Sequence, residues 1–131
     1  MSKMSEVRLM NFKPRTQREK QQLEMYGAFT PGGYLNTIRF AKNETLLHLV
    51  GKAILAHKLR QRGNFLCEAY FEGGEFDLVS LSDKVSYEIV HSSNPPRLEL
   101  PKQISECFVI NLEEGLTIKE LSRNIYKQAN L

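Results

Sequence analysis

Cysteine is scarce in this chain. Cys67 and Cys107 are its only two, too few for a disulfide scaffold or a four-cysteine zinc site. Long apolar runs are missing too. None approaches the ~20 residues of a membrane span, and no basic stretch leads into an apolar one as in a signal peptide. Neither an internal repeat nor a low-complexity tract is visible. His48, His57 and His91 lack metal-ligand spacing, Gly32-Gly33 and Gly73-Gly74 lack phosphate-loop spacing, and no Ser-His-Asp arrangement stands out. Both thiols are expected to be buried and inert. These absences lead to the expectation of a cytoplasmic protein with no membrane partner. Its 131 residues, 41% hydrophobic and 25% charged, match one globular domain.

Charge is plentiful and unevenly spread. Residues 1–63 hold 12 Lys/Arg against 4 Asp/Glu, whereas residues 64–131 hold 6 against 11. A basic half of this kind attracts phosphate backbones through counterion release, or serves as a solubilising tail. The candidate phosphate contacts are Lys13, Arg15, Arg18, Lys20, Arg39, Lys42, Lys58, Arg60 and Arg62. Residues 1–42 read as a basic N-terminal extension, with a weakly periodic helix over 16–26 and a short strand over 34–40. Residues 43–131 read as the core of a single domain.

From Asn43 the pattern sharpens. Asn43 suits an N-cap and Glu44 the first turn, ahead of an apolar surface running from Leu46 to Leu59. Gly63 is placed to end this helix, with Lys52, Lys58, Arg60 and Arg62 on its outer side. Three alternating segments follow, 65–72, 75–81 and 84–91, separated by Gly73-Gly74 and Ser82-Asp83. Two-residue connections predict tight hairpins and fix the register. Around Ser82-Asp83, Leu78 should face Tyr87 and Asp77 should face Glu88. Around Gly73-Gly74, Phe71 should face Phe76 and Glu68 should face Val79. One face then collects Phe65, Cys67, Ala69, Phe71, Phe76, Leu78, Val85, Tyr87 and Ile89, and the other Glu68, Glu72, Glu75, Asp77 and Glu88. A further strand is expected over 107–112. Thr117 and Glu120 have capping-box spacing, opening a last helix with Ile118, Leu121 and Ile125 inward.

Five carboxylates on one sheet face need a reason, since directly opposed like charges cost about 0.2–1 kcal/mol per pair. A divalent cation would convert that repulsion into coordination. A solvated outer face, neutralised by Lys52, Lys58 or Arg60, would tolerate it.

The helix with its early acid, the run Gly73-Gly74-Glu75-Phe76-Asp77, the hairpin and Tyr87-Glu88-Ile89-Val90 resemble the core of the PD-(D/E)XK nuclease superfamily. The nearest flavour is that of archaeal Holliday-junction-resolvase-like and restriction-endonuclease-like proteins. The resemblance spans residues 43–93. It implies an α/β fold with a restriction-endonuclease-like core: a helix, a three-stranded antiparallel meander, a further strand and a C-terminal helix. It also implies Mg²⁺ or Mn²⁺ held by Glu44, Asp77, Glu88 and the carbonyl of Ile89, with Glu68 or Glu75 in reserve. The implied activity is hydrolysis of a nucleic-acid phosphodiester, DNA foremost, and homodimers are common among such proteins. Where the family has lysine this chain has Val90, which can neither orient water nor stabilise charge on a phosphate. Lys84 lies six residues along the strand, roughly 20 Å away; Lys52, two turns beyond Glu44, is the candidate for a migrated lysine. Residues 94–106, with three prolines, leave little room for the family's second core helix. Three functions stay open: a metal-dependent nuclease, a degenerate nuclease fold that binds DNA or RNA without cutting, and a regulatory interaction protein.

Overall fold

The computed structural model describes residues 28–29, 35–39, 42–71, 74–91 and 100–131. The expected helix over 16–26 and the cations Lys13, Arg15, Arg18 and Lys20 lie outside these residues, as do Glu72 and residues 92–99. The elements are β1 (Ala28–Phe29), α1 (Leu46–Arg62), β2 (Phe65–Phe71), β3 (Gly74–Ser80), β4 (Val85–Val90), β5 (Glu106–Asn111) and α2 (Ile118–Gln128). They form an α/β fold around one mixed sheet of order β1-β2-β3-β4-β5, antiparallel through β4, with β5 parallel to β4. A parallel pair needs a crossover connection. The described part of that connection, residues 100–105, contains a turn and no helix.

Helix α1 starts two residues later than the sequence suggests. Thr45, not Asn43, is the N-cap: its hydroxyl accepts the His48 amide at 3.1 Å, satisfying one of the helix's orphan donors. Glu44 is therefore left outside the helix. Gly63 ends it as expected, donating to the Leu59 carbonyl at 3.1 Å. A Cβ on Gly63 would collide with the Ser82 hydroxyl, so the helix end and the β3–β4 turn pack backbone to side chain. The capping box of α2 forms in both directions between Thr117 and Glu120. Leu121 and Ile125 point inward, but Ile118 is 63% exposed, and Leu46 at the start of α1 is 74% exposed. Each is the first residue of its helix, where the apolar stripe has not yet turned toward the sheet.

Both helices pack on one face of the sheet. Leu55, Ala56 and Leu59 of α1 and Leu121 and Ile125 of α2 enclose Phe65, Cys67, Leu78, Tyr87, Ile89 and Ile110. Gly51 permits the close approach of α1, since a Cβ there would sit 2.8 Å from a Leu112 methyl. The opposite face has its own apolar cluster of Leu35, Leu66, Ala69, Phe71, Phe76, Val79, Leu81 and Ile104. Segment 35–39 is not the strand expected of it. Asn36 takes a left-handed φ of 55° and docks on β2, accepting the Phe65 amide and donating to the Phe65 carbonyl, both at 2.9 Å.

The second hairpin has the expected register, with Leu78 opposite Tyr87, Val79 opposite Ser86 and Ser80 opposite Val85. The first is displaced by two residues. Phe71 pairs with Gly74 and Ala69 with Phe76, rather than Phe71 with Phe76. An even displacement preserves the alternation, so the sheet faces should have survived. They do not survive, because the alternation itself breaks. On β2, Cys67 faces the helices while Ala69 and Phe71 face away; on β3, Leu78 faces the helices while Phe76 faces away. The switch falls at Glu68 and Asp77, and Glu68 carries a left-handed φ of 52°, rare for a residue with a Cβ. The single apolar face and single acidic face expected from the sequence are therefore replaced by two apolar faces, with acids gathered where they exchange.

Candidate metal centre

The break at Glu68 and Asp77 turns both acids toward the N-terminal half of α1. There, His48 and Lys52 lie four residues apart on one side of the helix, and Glu44, just before the Thr45 cap, meets both. Lys52 has no exposed surface. Its ammonium donates to Glu44 Oε2 at 2.5 Å and to the Arg39 carbonyl at 2.7 Å, and stands 3.5 Å from Glu68 Oε1. Burial disfavours this charge, but the bond to Glu44 and the surrounding negative charges more than offset it, so its pKa is raised. The sequence places Lys52 on the outer side of the helix as a substitute for the motif lysine, and the structure corrects this. A wholly buried ammonium cannot touch a phosphate, and it acts here by holding two carboxylates.

His48 lies at the centre of the group. Its Nε2 is 3.0 Å from the Ile89 carbonyl and 3.5 Å from Asp77 Oδ2. Its Nδ1 is 3.2 Å from Glu44 Oε2, within ion-pairing range but without the alignment of a hydrogen bond. The proximity and charge of Asp77, and then of Glu44, raise the imidazole pKa against the opposing effect of burial.

Asp77 and Glu88 meet in a gap between β3 and β4. Beyond the Leu78–Tyr87 pair, side chains take over from the backbone ladder. Asp77 Oδ2 accepts the Ile89 amide at 2.7 Å, and Glu88 Oε1 accepts the Asp77 amide at 3.1 Å. Burial, and then the charge of Asp77, push the Glu88 carboxyl up to about 8, despite the bond from the Asp77 amide. An open cleft of about 540 Å³ leads to this centre, lined by Lys42, Asn43, Glu44, Thr45, His48, Glu68, Asp77 and His91. Glu88 is not part of that lining among the described residues; it sits behind Asp77 and braces it. Glu75 is exposed.

Four of the other candidate cations have local partners. Arg39 is 3.8 Å from Glu68, Arg62 is 3.0 Å from Asp83, Arg60 donates to the Gly63 carbonyl, and the Lys58 ammonium stands 5.4 Å above the Tyr126 ring. Lys42 is at the cleft. A solvated acidic face does not describe this arrangement: the side chains of Glu44, Glu68 and Asp77 retain only 4%, 18% and 23% of their exposure.

Glu44, Asp77 and the Ile89 carbonyl form a hard-oxygen donor set, the kind Mg²⁺ and Mn²⁺ take. Glu44 Oε1 is buried without a hydrogen-bond partner, which suits a carboxylate that completes its coordination with an ion. Among the described residues, no three His, Cys, Asp or Glu side chains are grouped to hold a metal as they stand; here the third oxygen belongs to the backbone. His48 and Glu68 also line the cleft, and the sequence pattern does not single out either as a metal ligand. Burial raises both thiols, but only Cys67 is buried as expected; Cys107 is partly exposed. No described helix is long and apolar enough to cross a membrane. Comparison with family models, curated proteins and solved structures finds no match to this chain.

Proposed function

We propose that this protein is a restriction-endonuclease-like, nucleic-acid-binding protein with a divalent-metal-dependent phosphodiesterase centre. One observation carries the reading. Oxygens from three separate segments, Glu44 before α1, Asp77 on β3 and the Ile89 carbonyl on β4, converge within 3.5 Å of the His48 ring. Glu44, Asp77 and the Ile89 carbonyl would hold Mg²⁺ or Mn²⁺, which when bound supplies Lewis acidity and an activated water. Glu88 holds Asp77 through its amide, and Lys52 offsets the charge of Glu44 and Glu68. Lys42, on the cleft wall, offers positive charge to a backbone phosphate, and His91, also lining the cleft, offers a ring nitrogen. We assign DNA as the substrate class, with a cytoplasmic location and a homodimer as the assembly.

The test is incubation of the purified protein with duplex, single-stranded and branched DNA in Mg²⁺ or Mn²⁺. Cleavage that disappears in Asp77→Ala supports the reading. Val90 favours a second one, as does the compensation of Glu44, Glu68 and Asp77 by His48 and Lys52: a degenerate fold that holds DNA or RNA without cutting. Salt-sensitive binding with no cleavage, unchanged in Asp77→Ala, would select that module.

A further inference from the structure

We infer that the His48 ring is a tethered occupant of the cation position, which must leave before a divalent ion can bind, so that the ion-free site is held shut. This inference rests on the reading of Glu44, Asp77 and the Ile89 carbonyl as ion ligands. The geometry is that of a stand-in. Nε2 faces the Ile89 carbonyl and Asp77 Oδ2 at 3.0 and 3.5 Å, while Nδ1, on the other edge of the ring, is 3.2 Å from Glu44 Oε2. Nε2 donates to the Ile89 carbonyl, so that nitrogen is spent as a donor and is not a lone pair turned toward an ion. An ion bound by the Ile89 carbonyl and Asp77 Oδ2 sits about 2.0–2.6 Å from each, and it needs the space that Nε2 and its proton occupy.

The backbone beneath the ring is fixed while the side chain has somewhere to go. The His48 amide is bonded to the Thr45 N-cap and its residue lies in the first turn of α1. His48 itself lines the open cleft, as do Thr45, Asp77, His91 and Lys42. Rotation about its own side-chain bonds carries it into that cleft without moving the helix. Glu44 is ready for the exchange: Lys52 keeps Oε2 in place, while the buried Oε1 has no hydrogen-bond partner. A ligand that must first empty an occupied site shows an affinity reduced by the fraction of molecules already open.

Mn²⁺ binding at fixed pH, followed by the electron-spin signal of the free ion, tests this in the unaltered 131-residue chain and in His48→Ala. The expected result is about tenfold tighter Mn²⁺ binding by the variant, corresponding to a ring that occupies the site about nine-tenths of the time. His48→Asn, which keeps a polar side chain but cannot span the three oxygens, should move in the same direction if His48→Ala folds poorly. In the unaltered protein, Mg²⁺ should shift the His48 imidazole resonances toward those of an exposed ring. Weaker or unchanged Mn²⁺ binding in the variants overturns the stand-in and leaves the ion-site reading intact. No Mn²⁺ binding by any of the proteins overturns both.

Discussion

Asp77 and Glu88 are joined by a bond from backbone to side chain. The Asp77 amide donates to Glu88 Oε1 at 3.1 Å, where a regular hairpin would offer a carbonyl. The Ile89 amide makes the complementary substitution, donating to Asp77 Oδ2 at 2.7 Å. Two strands that pair regularly as far as Leu78 and Tyr87 are thereby held apart without leaving either amide unpaired. The gap turns Asp77 into the cleft, so the break in the sheet and the candidate site are one feature.

The pairing sets a pH dependence. The Glu88 carboxyl is raised from 4.5 to about 8 by burial and by Asp77, with Glu75 adding to the shift and His48 opposing it. A native state that holds this proton more tightly than the unfolded chain loses stability as pH rises from about 4.5 to 8. His48, raised above 6.5, acts in the same direction: its contribution is full below 6.5 and is lost as pH rises through its folded value. Melting without divalent ions should therefore occur at a lower temperature at pH 8.5 than at pH 5.5. Allowing for solvent screening, a single pKa unit gives about 1.4 kcal/mol, or roughly 5 °C for a domain of this size. Glu88→Gln should be close to neutral at pH 5.5, stabilising at pH 8.5, and should flatten the profile. Scanning calorimetry across that range checks it, and a profile unchanged by the substitution would remove the assignment of Glu88 as the raised group.

Lys52 should be among the most sensitive positions for stability. Replacing it with methionine preserves volume but leaves Glu44 and Glu68 without their shared cation. Breaking a buried pair from one side typically costs about 3–5 kcal/mol. The double variant Lys52→Met with Glu44→Gln should recover a substantial part of that stability, because the stranded charge goes with the lysine. Urea denaturation of the two single variants and the double variant measures the coupling. A purely additive result would mean that the Lys52–Glu44 pair contributes nothing to folding.

The second hairpin is legible in the sequence because Ser82-Asp83 fixes the register and the flanking residues alternate without interruption. The first hairpin is not, for a local reason: an unbroken alternation through Glu68 is what the residue pattern suggests, yet Glu68 takes a left-handed conformation that side chains ordinarily avoid. The burial of Lys52 escapes a sequence reading because a lysine on a helix is ordinarily solvated. Its burial depends on Glu44, Glu68 and the Arg39 carbonyl, which lie 8, 16 and 13 residues away and come together only in the folded chain. The four-residue spacing of Glu44, His48 and Lys52 is readable, but it matches no metal-ligand pattern for the histidine and so carries no signal of that kind. Glu44, Asp77 and Glu88 are singled out in the sequence by a resemblance that is local to a helix start and one hairpin; the structure brings Glu44 and Asp77 to one cleft and joins Glu88 to the Asp77 amide.

Binding of DNA should be governed by charge and therefore by salt. Each phosphate that is no longer neutralised reduces the slope of log affinity against log salt by about 0.9 on a duplex. Lys42 lines the cleft, whereas Arg62 is engaged with Asp83 on the far end of α1. Lys42→Ala should weaken binding to all sequences alike and lower the slope by about one, while Arg62→Ala should leave the slope nearly unchanged. Fluorescence anisotropy across a salt titration distinguishes them, and equal effects would place the nucleic acid on the helix end instead of at the cleft.

Divalent ions should stabilise the fold through the same site. An ion that binds only the native state adds about 2.7 kcal/mol at one hundred times its dissociation constant, roughly 10 °C at this size. Asp77→Asn should abolish that shift, since an amide retains the acceptor for the Ile89 amide but removes the charge an ion requires. Glu75→Gln should leave it intact, because Glu75 is exposed and lies outside the cleft lining. The comparison separates coordination at the centre from general screening of an acidic surface, which would respond to both substitutions alike. A melting temperature that does not move with millimolar Mg²⁺ or Mn²⁺ in the unaltered protein would leave His48 and Lys52 as the permanent counter-charges of these acids, and the protein as a binding module.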